Sequence, residues 1–337
     1  MGANMKFLVI GLGSMGKRRI RNLMSLGHMN IAGFDLREDR RMEVVEKYNI
    51  KLFADIDSAI EEFGPDVFII STSPAFHMEY AGMGFEHGLA CFVEASVVEG
   101  DKILDLHLRS EKSPILIAPS CTMRYFAGPK KVKQLIEAGV IGKPLNINYQ
   151  TGQYLPDWHP WEKIEDFYVS TRATGAGREI VPFELTWLND IFGEPIPLAC
   201  VKAKLTDMNA DIDDIYHCLL RYPDGILANI SVEVISQPNV TRELRIIGTY
   251  GELVFSADEN VVRYCNRDNP NWIRSDLGDG TIEAGYINPE EPYISELKDF
   301  IDAVNQNNKN LYPNTLLDDY HVLKILDELE ALSDPTV

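Results

Sequence analysis

An α/β domain built on a doubly wound parallel sheet, followed by an α+β domain with an open, mostly antiparallel sheet, is the fold that this sequence predicts. Three observations carry it. Up to about residue 120, short and almost wholly apolar runs alternate with helix-length segments, the pattern of a parallel sheet covered on both faces. Beyond that point strands follow one another with hairpin turns between them, which implies antiparallel pairing. A length of 337 residues suits two domains better than one.

In chain order, Lys6–Ile10 reads as a strand, Ser14–Leu26 as a helix, Asn30–Asp35 as a strand and Glu38–Tyr48 as a helix. The weak Lys51–Phe53 run adds a strand, and Asp66–Ser71 is a clear one. Met78–His87 is helical, Ala90–Glu94 a strand, Lys102–Glu111 helical and Ile115–Ala118 a strand. Near Ser120–Arg124 the chain leaves the first sheet with no low-complexity tether, so the expected domains are 1–122 and 123–337. Then come a helix over Pro129–Ala138, ending at Gly139, and the strands Leu145–Tyr154, Ala199–Thr206, Ile215–Tyr222, Ile226–Val234, Glu243–Gly248, Glu252–Ser256 and Val261–Cys265. Pro223-Asp224-Gly225 and Thr249-Tyr250-Gly251 are the turn segments between two pairs of them. A helix over Pro182–Ile191 interrupts the series, and Tyr293–Asn305 and Leu316–Leu332 close the chain as helices.

Charge and cysteine usage exclude several classes. A net charge of −19 argues against a nucleic-acid or anionic-membrane partner. The five cysteines form no CxxC pair and are odd in number, against a disulfide framework or structural zinc. Reduced thiols and a cytoplasmic location are expected, since Met1–Lys6 lacks a basic region leading into a long apolar run.

Gly11-Leu12-Gly13-Ser14-Met15-Gly16 fits G-x-G-x-x-G. It follows a strand, opens a helix and is followed by Asp35 at the end of the next strand, the context that makes the motif specific for a dinucleotide. Gly11 allows the tight turn, Gly13 the approach of a pyrophosphate, and Gly16 close helix–strand packing. The helix N-terminus, from Ser14 and Met15, offers free N–H groups to phosphate. A carboxylate at Asp35 accepts hydrogen bonds from a ribose 2′-hydroxyl and repels a 2′-phosphate, which favours NAD over NADP. Arg37, Arg40 and Arg41 could hold such a phosphate if one turned inward; a solvated helix face is the simpler reading.

With these residues in view the sequence resembles the Gfo/Idh/MocA family, named for glucose–fructose oxidoreductase and inositol dehydrogenase. Lys6–Gly16 is similar to its first βα unit, and Ile69–His77 to the motif that brings Ser71, Thr72, Pro74 and His77 beside the cofactor. His87-Gly88 through Glu94 resembles the strand leading to the family's Glu-Lys-Pro, and Arg124-Tyr125-Phe126 its Arg-Phe stretch. Gly175-Ala176-Gly177 and the helix reaching Phe192-Gly193 resemble its glycine-rich loop and substrate-side helix. The resemblance implies an N-terminal Rossmann domain and a C-terminal sheet that builds homodimers or homotetramers. It also implies hydride chemistry on a sugar, cyclitol or nucleotide-sugar hydroxyl or ketone.

Two departures stand out. The family's lysine position holds Ala95, within Glu94-Ala95-Ser96, and counting back from Phe192-Gly193 puts Phe183 where the histidine of Asp-x-x-x-His belongs. Neither side chain transfers a proton. Glu94 and Ala95 are expected to line the nicotinamide end. Glu184 is the nearest titratable group to the lost histidine, either as a base or, with Pro182 read as the first helical residue, as a cap at the third. The segment Gln153–Glu162 gathers Tyr154, Asp157, Trp158, His159 and Trp161 in a proline-bounded loop. Aromatic faces and carboxylates suit a carbohydrate, and His159 is the leading candidate for proton transfer. Arg124, Arg178 and Phe183 complete the expected substrate side, with Arg178 as a clamp for an anionic group. No metal site is expected. The alternatives to a dehydrogenase are a non-catalytic dinucleotide-binding regulator and redox-neutral, NAD-dependent glycoside chemistry.

Overall fold

The computed structural model describes residues 5–158, 163–166, 168–278 and 280–333. Two units are present, one of residues 1–122 with 280–320 and the other of 123–279 with 321–337. Gly280–Tyr320, read from the sequence with the second domain, therefore belongs to the first unit.

In the first unit, β1 (Phe7–Ile10), β2 (Ile31–Phe34), β3 (Lys51–Phe53), β4 (Val67–Ile70), β5 (Ala90–Val93) and β6 (Ile117–Pro119) form a parallel sheet in the order β3-β2-β1-β4-β5-β6. Every residue of β1, β2, β4 and β5 is buried, as a sheet covered on both faces requires. Helices α1 (Ser14–Ser25), α2 (Glu38–Tyr48), α3 (Ile56–Phe63), α4 (His77–Glu86) and α5 (Gly100–Ser110) are the crossovers. The short α3 escaped the sequence reading although its signals are local: Asp55 caps it by accepting from Ser58 N, and Gly64 stops it in the left-handed region. The order of strands reverses between β1 and β4, which makes their carboxyl ends the crevice where a ligand sits.

The returning segment is fastened by charge. Glu290 accepts from Arg18 Nε and Arg21 Nη2, both at 3.0 Å, and from Asn22 Nδ2 at 2.8 Å. In α8 (Glu291–Asn305), Glu296 has no exposed surface and meets Arg19 Nη2 at 3.1 Å, while Arg19 Nε meets Glu94 Oε1 at 2.6 Å. Glu296 also accepts from the hydroxyls of Ser120, Thr122 and Tyr312 and from the Cys121 N–H. Burial opposes the charge on Arg19, but the two carboxylates outweigh it and hold the guanidinium above its ordinary value.

In the second unit, α6 (Ala127–Glu137) leads into β7 (Pro144–Gly152). There follow α7 (Gly177–Phe192), β8 (Ile196–Ala203), β9 (Ile215–Arg221), β10 (Leu227–Glu233), β11 (Thr241–Gly248), β12 (Gly251–Ser256), β13 (Val261–Asn266) and β14 (Ile273–Asp276). The sheet runs β14-β13-β12-β11-β7-β10-β9-β8. All its pairings are antiparallel except β10 with β7. Buried and exposed residues alternate along β9 and β10, so one face is covered and the other open. Helix α7 begins five residues before the position expected for it, and Pro182 lies inside it rather than at its start. The cap reading of Glu184 therefore fails. The last helix, α9, spans Leu316–Leu332. Among the described residues no helix is long and apolar enough to cross a membrane.

Removing one partner of a buried ion pair strands the other charge. Glu296→Ala should therefore cost about 3–5 kcal/mol in urea unfolding. Arg263→Ala, which breaks a partly exposed pair with Glu259, should cost no more than about 1 kcal/mol. Equal costs would mean that the buried cluster does not hold the segment.

Candidate active site

The glycine loop is shaped by two kinds of constraint. Gly11 has φ of +88°, and a Cβ there would lie 2.6 Å from the Ser71 carbonyl oxygen. At Gly16 it would lie 1.9 Å from the Gly11 oxygen. Both must be glycine for the chain's own sake. Gly13 is different: a Cβ would meet only the Arg40 guanidinium, at 3.5 Å, and its φ of −71° suits any residue. No neighbour in the fold requires glycine there. Gly13 also caps α1, which has no side-chain cap and no acid in its first turn, so the positive end of the helix is left to a ligand.

Asp35 follows β2 and is buried. Its Oδ2 accepts from Leu12 N at 2.8 Å and its Oδ1 from Arg37 N at 2.9 Å, which aims the carboxylate at the glycine loop. The arginines divide. Arg37 pairs outward with exposed Asp39, Arg41 donates to the Asp35 carbonyl, and Arg40 brings Nη1 within 3.7 Å of Asp35 Oδ2.

At the carboxyl ends of β4 and β5, Ser71 N donates to the Ile10 carbonyl at 2.7 Å, and Ser71 Oγ lies 3.4 Å from Glu94 Oε1. Pro74 is buried in a single turn that opens α4. His77 is buried, with Nε2 at 3.0 Å from the Thr72 carbonyl. Burial lowers its pKa, so it stands as a neutral ring that donates Nε2–H to that carbonyl. Thr72 Oγ1 and His77 Nδ1 are enclosed without a partner among the described residues. Glu94 is gripped by Arg19 through both oxygens. Ala95 is half-buried and follows directly.

In the second unit Glu184 has no exposed surface. Its Oε2 accepts from Tyr149 OH at 2.6 Å and Trp187 Nε1 at 2.8 Å, and its Oε1 from Arg242 Nη2 at 2.6 Å. Burial and the Glu184 charge push the Tyr149 phenol well above its ordinary value. The Glu184 carboxylate is engaged by the protein itself. Arg178, expected to clamp a ligand, closes instead on Glu330, Asp327 and the Ala173 carbonyl. Arg124 Nε donates to the Thr186 carbonyl at 3.0 Å, fastening it to α7. Phe183 is half-buried on the same helix.

The aromatic segment starts where Tyr154 bridges to Ile235. A single turn follows over Leu155–Asp157, with Asp157 exposed and Trp158 half-buried. Trp158 Nε1 is enclosed and has no partner among the described residues. His159 and Trp161 lie outside the described residues. Among the described residues no group of three or more His, Cys, Asp or Glu could hold a metal ion.

One group was missed. Glu179, in the first turn of α7, is half-buried as a residue, but its carboxyl end is enclosed. Tyr168 OH donates to Oε1 at 2.6 Å, and Oε2 has no partner among the described residues. Burial pushes its pKa up to about 7, against the opposing pull of Tyr168. The spacing was available: Glu179 stands four residues before Phe183, the offset of the carboxylate in Asp-x-x-x-His.

Residues 5–101 match the model of an oxidoreductase family with an NAD-binding Rossmann fold, and residues 130–254 match the GFO/IDH/MocA C-terminal domain. An inositol 2-dehydrogenase/D-chiro-inositol 3-dehydrogenase of Lacticaseibacillus casei is 25% identical over 88% of this chain and 83% of its own. A myo-inositol 2-dehydrogenase of Thermotoga maritima is 29% identical, but that match spans only 42% of this chain and 43% of the relative. A levoglucosan dehydrogenase, solved with NADH and levoglucosan, superposes with a TM-score of 0.82 at 18% identity, over 97% of this chain and 96% of that one. This chain belongs to the Gfo/Idh/MocA family of NAD-binding oxidoreductases.

Proposed function

We propose that the protein is an NAD-dependent dehydrogenase that interconverts a secondary hydroxyl and a ketone on a sugar, cyclitol or nucleotide sugar. The observation that carries this reading is Gly13, a glycine that nothing in the fold demands, at the uncapped start of α1 and beside Arg40 and Asp35. A bound nicotinamide supplies or accepts the hydride. The protein's share is to hold and orient. The first N–H groups of α1 bind pyrophosphate, and Asp35 accepts the ribose hydroxyls. Ser71, Thr72, Pro74 and His77 shape the wall of the crevice, and Glu94, immobilised by Arg19, sets the course of the chain through Ala95.

With Ala95 and Phe183 unable to carry a proton, we assign that work to Glu179, with His159 as the rival. A carboxyl near pH 7 is matched to general acid–base catalysis at neutral pH. The substrate class rests on the relatives' substrates and on the aromatic segment around Tyr154, Asp157 and Trp158. Self-association through the open face of the second sheet, where Ile196, Leu198, Leu219 and Leu227 are exposed, fits a homodimer or homotetramer.

Calorimetric titration should show NADH binding tighter than NADPH, because Asp35 repels a 2′-phosphate. Equal or reversed affinity would pass that role to Arg40. Gly13→Val should abolish NADH binding while leaving the thermal midpoint almost unchanged, since only the tip of Arg40 must yield. A folded variant that still binds NADH would show the pyrophosphate lies elsewhere.

In the oxidative direction the ionised carboxylate accepts the hydroxyl proton, so kcat/KM should rise with pH through about 7. Glu179→Gln should lower kcat by about 10²–10⁴ and remove that inflection. Tyr168→Phe should move the inflection upward, since it deletes the donor that favours the ionised form. If His159→Ala takes the limb away and Glu179→Gln leaves it, the proton belongs to His159. No turnover of any polyol by a protein that binds NADH would favour the regulatory alternative.

A further inference from the structure

Two of the five thiols face each other. Cys200 on β8 is directly opposite Cys218 on β9 in the antiparallel register. Residues so placed have Cα atoms about 4.5–5.5 Å apart, within the about 4.4–6.8 Å that a disulfide spans. Cys218 belongs to the buried set of β9 with Tyr216 and Leu220, and Cys200 is buried beside it. The neighbouring Cys218 thiol lowers the Cys200 pKa, with help from Lys202 and against burial, Glu330 and Asp213, while Cys200 and burial raise that of Cys218. Cys200 also lies on the outer strand of the pair, so it is the sulfur that a small disulfide meets first.

The position in the sheet supplies a route in. β8 is the edge strand, paired among the described residues with β9 alone, and its register shifts between Pro197 and Ala199, one residue before Cys200. An edge strand opens at far lower cost than the whole domain. None of the other thiols has this arrangement. Cys265 lies opposite Glu252, while Cys91 is buried and raised by that burial. Cys121 donates to Tyr312.

We propose that Cys200 and Cys218 form a redox-active dithiol, a modification site that closes to a cross-strand disulfide on reaction with a small-molecule disulfide such as oxidised glutathione. The Cys200 thiolate attacks one sulfur of the small disulfide, forming a mixed disulfide and releasing one small thiolate. Cys218, giving up its proton, then attacks the Cys200 sulfur and releases the second. The dithiol loses two electrons and two protons; the small disulfide is reduced to two thiols. The bond stitches β8 to β9. This inference is independent of the assigned oxidoreductase activity.

The test uses the full-length, natively folded protein in buffers of rising oxidised-to-reduced glutathione ratio, quenched in acid and digested without reduction. Trypsin separates the two cysteines at Lys202 and Lys204. The expected product is a linked pair of peptides two hydrogens lighter than their sum, formed before any adduct at Cys91 or Cys121. Cys218→Ser should trap Cys200 as its glutathione adduct, whereas Cys200→Ser should leave Cys218 unmodified; circular dichroism reports whether each variant is folded. The wild-type result stands even where a variant is not. A link that forms only in denaturant, or two free thiols at a ratio that already modifies Cys265, would overturn the proposal.

Discussion

A guanidinium with no exposed surface, that of Arg19, sits where the first unit comes together. It reaches Glu94 just past β5 and Glu296 on α8 from a single helix position on α1. Three stretches far apart in sequence are thereby held at one point, and Glu296 extends the grip to the exit of β6 through Ser120, Cys121 and Thr122. Such a cluster is costly to desolvate. What it provides is position: the chain beyond β5, at the expected nicotinamide end of the crevice, cannot drift while Glu94 is held at two oxygens. Glu290, gripping Arg18, Arg21 and Asn22, does the same for the outer side of α1.

The glycine loop at the start of that helix is therefore mounted on a rigid element, and its three glycines answer to different masters. Gly11 and Gly16 satisfy backbone against backbone, while Gly13 satisfies nothing inside the protein. A preorganised phosphate cradle needs both kinds, a fixed turn and an unfilled space. Asp35 is aimed by the same loop through Leu12 N, so the position of its carboxylate and the loop conformation are set together. Arg40 brings a positive charge to 3.7 Å from that carboxylate.

What could be read from the sequence was whatever repeats locally. Apolar runs pointed to the buried strands of the first sheet, hairpin turns to the second, and glycine spacing to the loop. The return of Gly280–Tyr320 to the first unit was not legible, because it rests on ion pairs more than 170 positions apart, such as Arg19 with Glu296, and charge alone names no partner. The start of α7 was misplaced for a local reason. Pro182 looks like a first-turn residue, but it lies inside the helix, among buried residues. The partners of Arg178 were equally out of reach, because the acids that meet it, Asp327 and Glu330, lie about 150 residues away.

Helix α7 shows how one element assigns opposite duties to two glutamates. Glu179 and Glu184 are five positions apart, so at about 100° per residue they project in directions about 140° apart. Glu184 looks onto the sheet, where Tyr149 and Arg242, with Trp187 from α7 itself, supply donors enough to stabilise a buried anion. Glu179 finds one donor among the described residues, Tyr168, in an enclosed setting, and burial wins, raising its pKa to about 7. Burial alone does not set the charge state of a carboxyl; the number of donors around it decides how far burial is opposed. On α7 the carboxyl with an oxygen unpartnered among the described residues is that of Glu179, four residues before Phe183.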